Sequence, residues 1–274
     1  MGSELKASFS ALSLYAACPL KYRYLHVDGR DEPDVSPDWR RAPAEAELTV
    51  ASGFDRQLGI AVHRALAHWQ RAVDGGGAAG AAALLAKVRS EASRQGLAAA
   101  DVDHALERLG PRLAAYAEGP WPRRHTIFLE QPVRHRLEDG DFTLELALRV
   151  DRVVRYRRGV AILDFKTVPP HAFEMRADVW QLRTYALAAP ELLGVGSETV
   201  SLFIIDVRQS IEVPVGAGSA ELEAARHELL ACGRGIVAAR FDVGQGHRDR
   251  PCWACGFRLK CPSSLAPDPP SPRR

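Results

Sequence analysis

FTLELALRVDRVVRYRRGVAILDFKT occupies residues 142–167, and its reading decides the fold. Side chains alternate between the two faces of a strand. Phe142, Leu144, Leu146, Leu148 and Val150 therefore fall on one face, and Thr143, Glu145, Ala147, Arg149 and Asp151 on the other. A turn near Arg158-Gly159 leads into a second strand, in which Asp164 and Lys166 share a face and Phe165 points away. The turn makes the strands antiparallel neighbours, so Asp151, Asp164 and Lys166 converge at one end of a hairpin. Two carboxylates suit one or two hard divalent cations such as Mg2+ or Mn2+. Such an ion acidifies a bound water and neutralises charge on a phosphate oxygen, and a neighbouring ammonium can orient the nucleophile. Taken alone, each piece has an ordinary reading too: Asp-x-Lys as a solvated face, Asp151-Arg152 as a surface ion pair.

Outward from this hairpin, HTIFLEQPVRHRLE and an Asp139-Gly140 turn supply a strand before it, making a three-strand meander. Upstream, Ser10 is placed to cap a helix through ALSLYAAC, which Pro19 interrupts before LKYRYLHV. Residues 28–53 show no clear periodicity and read as loop. LGIAVHRALAHWQRAV (58–73) has helical spacing, with two Ala- and Leu-rich helices expected over 78–95 and 98–117. Downstream come a helix near 177–189, a strand TVSLFIID, a further strand at 210–215 and a long helix over 219–240. The final PSSLAPDPPSPRR reads as a disordered tail.

Of the residues, 46% are hydrophobic and 26% charged, which is ordinary globular composition. The net charge of +2 neither announces a nucleic-acid binder nor excludes one. No basic start with an apolar run opens the chain as a signal peptide would, and no apolar stretch approaches the roughly 20 residues that span a bilayer. The expectation is a cytoplasmic protein with no membrane partner. There is no G-x-x-x-x-G-K-[ST], so no P-loop motor is expected within it. Five cysteines in a reducing compartment favour metal ligation over a disulfide framework. PCWACGFRLKCP (251–262) carries Cys252, Cys255 and Cys261, one thiolate short of the usual four for tetrahedral zinc or a cubane cluster. Cys232 reads as a buried free thiol.

Asp151-Arg152 followed by ILDFKT resembles the core of PD-(D/E)XK nucleases of the RecB and AddB type. GIAVHRAL is similar to that family's G-x-x-x-H-x-x-L helix, QLRTYALA to its Q-x-x-x-Y motif, SFSALSLYAACPLKY to its N-terminal cysteine segment, and CWACGFRLKCP to its C-terminal one. The family often has glycine where this chain has Leu148, which would place bulk near the substrate groove. The resemblance implies an α/β restriction-endonuclease-like core: a central mixed sheet flanked by helices, with a helical insert at about 74–120. It implies one nuclease domain over 1–262, with an Fe-S segment at about 250–262 and residues 263–274 as tail.

The resemblance further implies that His63, Asp151 and Asp164 bind Mg2+ or Mn2+. Asp151, Asp164, Lys166, Gln181 and Tyr185 are the implied catalytic set, with Glu130 a further candidate. Cys18 becomes the fourth ligand of a 4Fe-4S cluster with Cys252, Cys255 and Cys261, joining the two ends of the domain, and Trp253 and Phe257 pack around it or stack on a base. The implied activity is hydrolysis of DNA, as an exonuclease on single-stranded ends in repair, recombination or end processing, by itself or with a separate helicase or a recombination or CRISPR-adaptation protein as partner. The alternatives are a CRISPR-adaptation nuclease trimming spacer precursors, a non-catalytic DNA- or partner-binding module of the same fold, and a zinc-stapled scaffold of unrelated fold.

Overall fold

The computed structural model describes residues 2–32, 53–77, 80–167, 172–194, 196, 199–207, 211–242, 252 and 255–264. Most of the loop expected at 28–53, Trp253, and the tail from 265 onward lie outside them. The chain divides into two compact units: Met1–Val50 with Arg136–Leu146 and His227–Arg274, and Ala51–His135 with Ala147–Arg226.

The first unit opens with β1 (Ser3–Ser8), α1 (Phe9–Ala17) and α2 (Pro19–Tyr22), followed by a π-helical turn at Arg23–Val27. In SELKAS only Leu5 and Ala7 alternate with Glu4 and Lys6, too short a run to mark β1 as a strand from its pattern alone. The helix start differs as well. Ser8, not Ser10, is the N-cap, its hydroxyl accepting from the Ala11 N–H at 3.2 Å. Cys18 stands extended between the helices. Its sulfur accepts from the Lys21 N–H at 3.4 Å, and Pro19 takes the first position of α2, where a missing N–H costs nothing. Tyr15 donates to the Arg240 carbonyl at 2.6 Å, and Tyr22 stacks on Phe241. Gly256 N–H donates to Glu32 at 3.1 Å, Glu32 pairs with Lys21 at 2.6 Å, and the Tyr24 and Phe257 rings meet at 5.0 Å. Cys232 is a free, buried cysteine, as expected, and burial pushes its thiol up to about 12.

The second unit holds α3 (Gly53–Asp74), α4 (Ala81–Arg94) and α5 (Ala99–Glu118). Leu66 and Trp69 of α3 pack with Leu84 of α4, Leu113 of α5, and Leu163 and Phe165 of the sheet in one apolar core. The sheet strands are β2 (Thr126–Asp139), β3 (Phe142–Tyr156), β4 (Gly159–Lys166), β5 (Val200–Asp206) and β6 (Ile211–Val215). Helices α6 (Ala172–Leu187) and α7 (Ala189–Leu193) lie between β4 and β5, and α8 (Ser219–Val237) follows β6. The strand order is β1-β3-β4-β5-β6, with β2 also paired to β3. The sheet is mixed, as the resemblance implies. β3 and β4 run antiparallel with Arg152 opposite Leu163, β4 and β5 run parallel, and β5 and β6 antiparallel. A parallel neighbour needs a crossover, and α6 with α7 provides it. Gly159 opens β4 where a β-carbon would run into the Thr199 carbonyl.

The alternation in β3 holds: Phe142 to Val150 at even positions are buried, while Ala147 and Arg149 are exposed. Leu148 belongs to that buried set, alternating away from Asp151, so it adds to the core and puts no bulk beside the acids. Arg152 is not a surface residue either. It is fully buried and donates to the Trp121 and Arg124 carbonyls, Thr126 Oγ1 and the Tyr116 hydroxyl at 2.9 to 3.2 Å. A buried guanidinium needs its donors filled, and neutral acceptors from α5, the turn before β2 and the start of β2 fill them here.

Candidate active site

Helix α3 brings His63 against β3 and β4 because its apolar side packs on Phe165; the two rings meet edge-on with centroids 6.4 Å apart. Gly59, one turn earlier, permits this approach, since a β-carbon there would sit 3.0 Å from Thr167 Oγ1. His63 Nδ1 lies 3.4 Å from Asp151 Oδ2, which also accepts the Phe165 N–H at 2.9 Å. Glu130 completes the group. Ligand atoms of His63, Glu130 and Asp151 all lie within 4.8 Å of one another, a triad of donors that could hold a metal ion. Glu130 reaches it from a left-handed backbone (φ 53°), a conformation rare for side chains other than Gly, Asn and Asp. Arg149 Nη1 lies 3.7 Å from Glu130 Oε2.

The lysine stands next to this triad. Lys166 Nζ is 2.8 Å from Asp164 Oδ2, 2.8 Å from Asp178 Oδ1 and 3.1 Å from Gln181 Oε1. Gln181 then donates to the Tyr185 hydroxyl at 2.6 Å, and that hydroxyl donates to the Arg149 carbonyl at 2.6 Å. The amide orientation follows from this chain: its oxygen must face the ammonium and its NH2 the phenol. The spacing of Gln181 and Tyr185 on α6 puts them one turn apart on the side that faces the strands.

Burial sets the electrostatics. Burial disfavours a charged His63, but the Asp151 carboxylate beside it outweighs this and raises the imidazole to about 9. Burial acts against the Asp151 carboxylate as well, and His63 and the Phe165 N–H hold it below its usual range. Asp164 is nearly fully buried; burial raises it to about 6, Lys166 opposing and Asp151 assisting. Burial would lower Lys166, yet Asp164 and Asp178 more than compensate and raise it. Each ionised group has a partner of opposite charge, which is the condition for burying charge at all.

The residues expected from sequence therefore meet in part. His63, Asp151 and Glu130 form one group, and Asp164, Lys166, Gln181 and Tyr185 another next to it. Asp178 was not expected; its only sequence signal is its place three residues before Gln181 on the same helix. The donor set of one imidazole and several carboxylates fits a hard divalent cation. The cysteines are different. Cys18, Cys252, Cys255 and Cys261 suit a thiolate cluster in kind and number, but among the described residues their sulfurs are not gathered about one centre. Burial raises the Cys255 thiol, with the Phe257 N–H and Lys21 opposing and Glu32 and Cys18 adding to it.

The model of the PD-(D/E)XK nuclease superfamily matches residues 6–262 of the chain. No curated protein matches it. A solved structure, the crystal structure of SSO0001, is similar with a TM-score of 0.46 at 13% identity, over 97% of this chain and 90% of that one. Among the described residues no helix is long and apolar enough to cross a membrane.

Proposed function

Because this chain belongs to the PD-(D/E)XK nuclease superfamily, we propose that it is a Mg2+- or Mn2+-dependent deoxyribonuclease whose residues 1–262 act as one catalytic domain. The observation that carries this is the juxtaposition of the His63–Glu130–Asp151 triad with the Asp164–Lys166 pair. His63, Asp151 and Asp164 would hold the cation, with Glu130 as a further ligand. The ion supplies an acidified water and a counter-charge for phosphate. Lys166, flanked by two carboxylates, stays an ammonium and donates: it orients the attacking oxygen or steadies charge on the phosphoryl group. Asp178 and Gln181 fix where that ammonium points, and Tyr185 fixes Gln181. Such placement matters because a misplaced group loses most of its effect.

The finer reading is an exonuclease of the RecB/AddB-like type acting on single-stranded DNA ends in repair or recombination in the cytoplasm, supplied with strands by a separate helicase. It rests on the motif resemblance. A 4Fe-4S cluster on Cys18, Cys252, Cys255 and Cys261 belongs to the same reading. The contacts of Glu32 with Gly256 and of Tyr24 with Phe257 support it by joining the two cysteine-bearing segments. No catalytic step depends on it.

The test is digestion of end-labelled linear and circular single-stranded DNA with magnesium, manganese or excess chelator. Cutting of the linear form alone, stopped by chelator, is the expected result. Equal cutting in chelator would overturn the metal site, and equal cutting of circles would overturn the exonuclease reading.

A further inference from the structure

The turn end of the β3–β4 hairpin carries arginines with no acid to pair with. Arg157 and Arg158 form the two-residue turn, and Arg155 lies on β3 opposite Val160. The Arg155 N–H donates to the His125 carbonyl at 2.9 Å, which brings Arg123 and Arg124, just ahead of β2, to the same place. Arg123, Arg155, Arg157 and Arg158 are exposed. Some other arginines find carboxylates, as Arg89 does with Asp103, Arg94 with Glu91 and Arg136 with Glu138. None of these five forms an ion pair among the described residues.

Aromatic rings hold two of them instead. The Arg124 guanidinium lies 4.9 Å from the Tyr156 centroid and that of Arg157 5.2 Å from the same ring. Cation–π contact fixes a guanidinium while leaving its N–H groups to other acceptors. Arg124 Nε is buried with no hydrogen-bond partner. Arg157 also takes a left-handed backbone (φ 50°), a turn position where Gly or Asn would sit at ease. Like charges are thus crowded, oriented and left unpaired, one of them at a backbone position ill suited to it. A polyanion resolves that crowding, and guanidinium is the side chain best matched to phosphate.

We propose that Arg123, Arg124, Arg155, Arg157 and Arg158 form a second phosphate-binding surface, which grips the nucleic-acid strand away from the point of cleavage. The proposal rests on the nuclease reading above. From Asp151 to Tyr156 the strand rises about 17 Å, which is about five phosphates of a stacked strand. A long substrate reaches both the acids and the arginines; a tetranucleotide reaches only the acids.

The experiment uses the full chain and the triple variant Arg155→Gln, Arg157→Asn, Arg158→Gln, in which Asn suits the left-handed position. Binding of a labelled single strand of about 25 nucleotides is followed by anisotropy in chelator across a salt series. The variant should bind about 10-fold more weakly at low salt, and its slope of log K against log salt should fall by about 2, near 0.7 for each lost contact. With manganese, its kcat/KM should drop on the long strand and stay unchanged on a tetranucleotide. Arg155→Gln alone, which leaves the turn intact, should lower the slope by about 0.7. Unchanged affinity and slope, equal losses on both substrates, or loss of binding only to phosphatidylserine vesicles would each overturn the surface. If the wild type binds through these arginines yet never cuts, the surface stands and the nuclease reading falls. If it cuts and the variants bind as it does, the reverse holds.

Discussion

In one unit, Lys166 lies 2.8 Å from both Asp164 and Asp178 in a mostly buried cluster of charge. In the other, the cysteines at 18, 252, 255 and 261 stay half-buried and are not gathered about one centre. The carboxylates of the one and the thiols of the other are residue types that can bind metal. The difference lies in what each side chain costs to bury. Carboxylates and ammonium groups leave water only if they meet an opposite charge, so the chain must assemble them in order to fold. A neutral thiol behaves as a small apolar group and makes no such demand. An acid–lysine site is therefore complete before any ion arrives, whereas thiols need an ion to collect them.

This contrast is broken or sharpened by four variants or pairs. Asp164→Ala and Lys166→Ala should each lower single-turnover cleavage by about 10^3-fold. Titration of manganese should separate them, with binding weakened in Asp164→Ala and nearly kept in Lys166→Ala. If Lys166→Ala cleaves at the wild-type rate, the assignment of the ammonium is wrong. Next in size, Arg152→Met should lower unfolding free energy in urea by about 3–5 kcal/mol, since it strands acceptors in the core. A loss below about 1 kcal/mol, the size of one ordinary hydrogen bond, would show that those acceptors find water.

Cys18→Ser probes the thiol side. Serine is a good N-cap, so α2 should hold its start in protein stripped of iron and the melting temperature should stay level. Protein prepared without oxygen should instead lose its iron, its sulfide and the stability they confer, whereas Cys232→Ser should retain all three. Wild-type protein with zinc and no iron would remove the cluster from consideration. The smallest effects belong to Gln181→Ala and Tyr185→Phe. Each should reduce kcat by roughly 10-fold with KM unchanged, because the chain they break orients Lys166 and holds no substrate. A change in KM alone would assign them to binding.

The hairpin of β3 and β4 was legible because alternation is a strict geometric rule, and a motif spacing locates His63, Gln181 and Tyr185 on helix faces. Asp178 was not, since nothing local distinguishes an acid three residues before a glutamine from a solvated one. The burial of Arg152 has no local signal, because two of its partners are backbone carbonyls of Trp121 and Arg124, which any residue types could offer. The cap at Ser8 was missed because Ser10 has the same chemistry two residues on, and only the entry from β1 selects between them.

The left-handed backbone at Glu130 bears on how this chain can drift. Gly or Asn would relax the backbone there, and either would take away a carboxylate from the triad. Conformational ease and ligand charge are thus in opposition at a single codon. A lineage selected for stability alone would surrender this acid early. One that keeps Glu130 retains a strained residue and with it the carboxylate that the proposed ion would use.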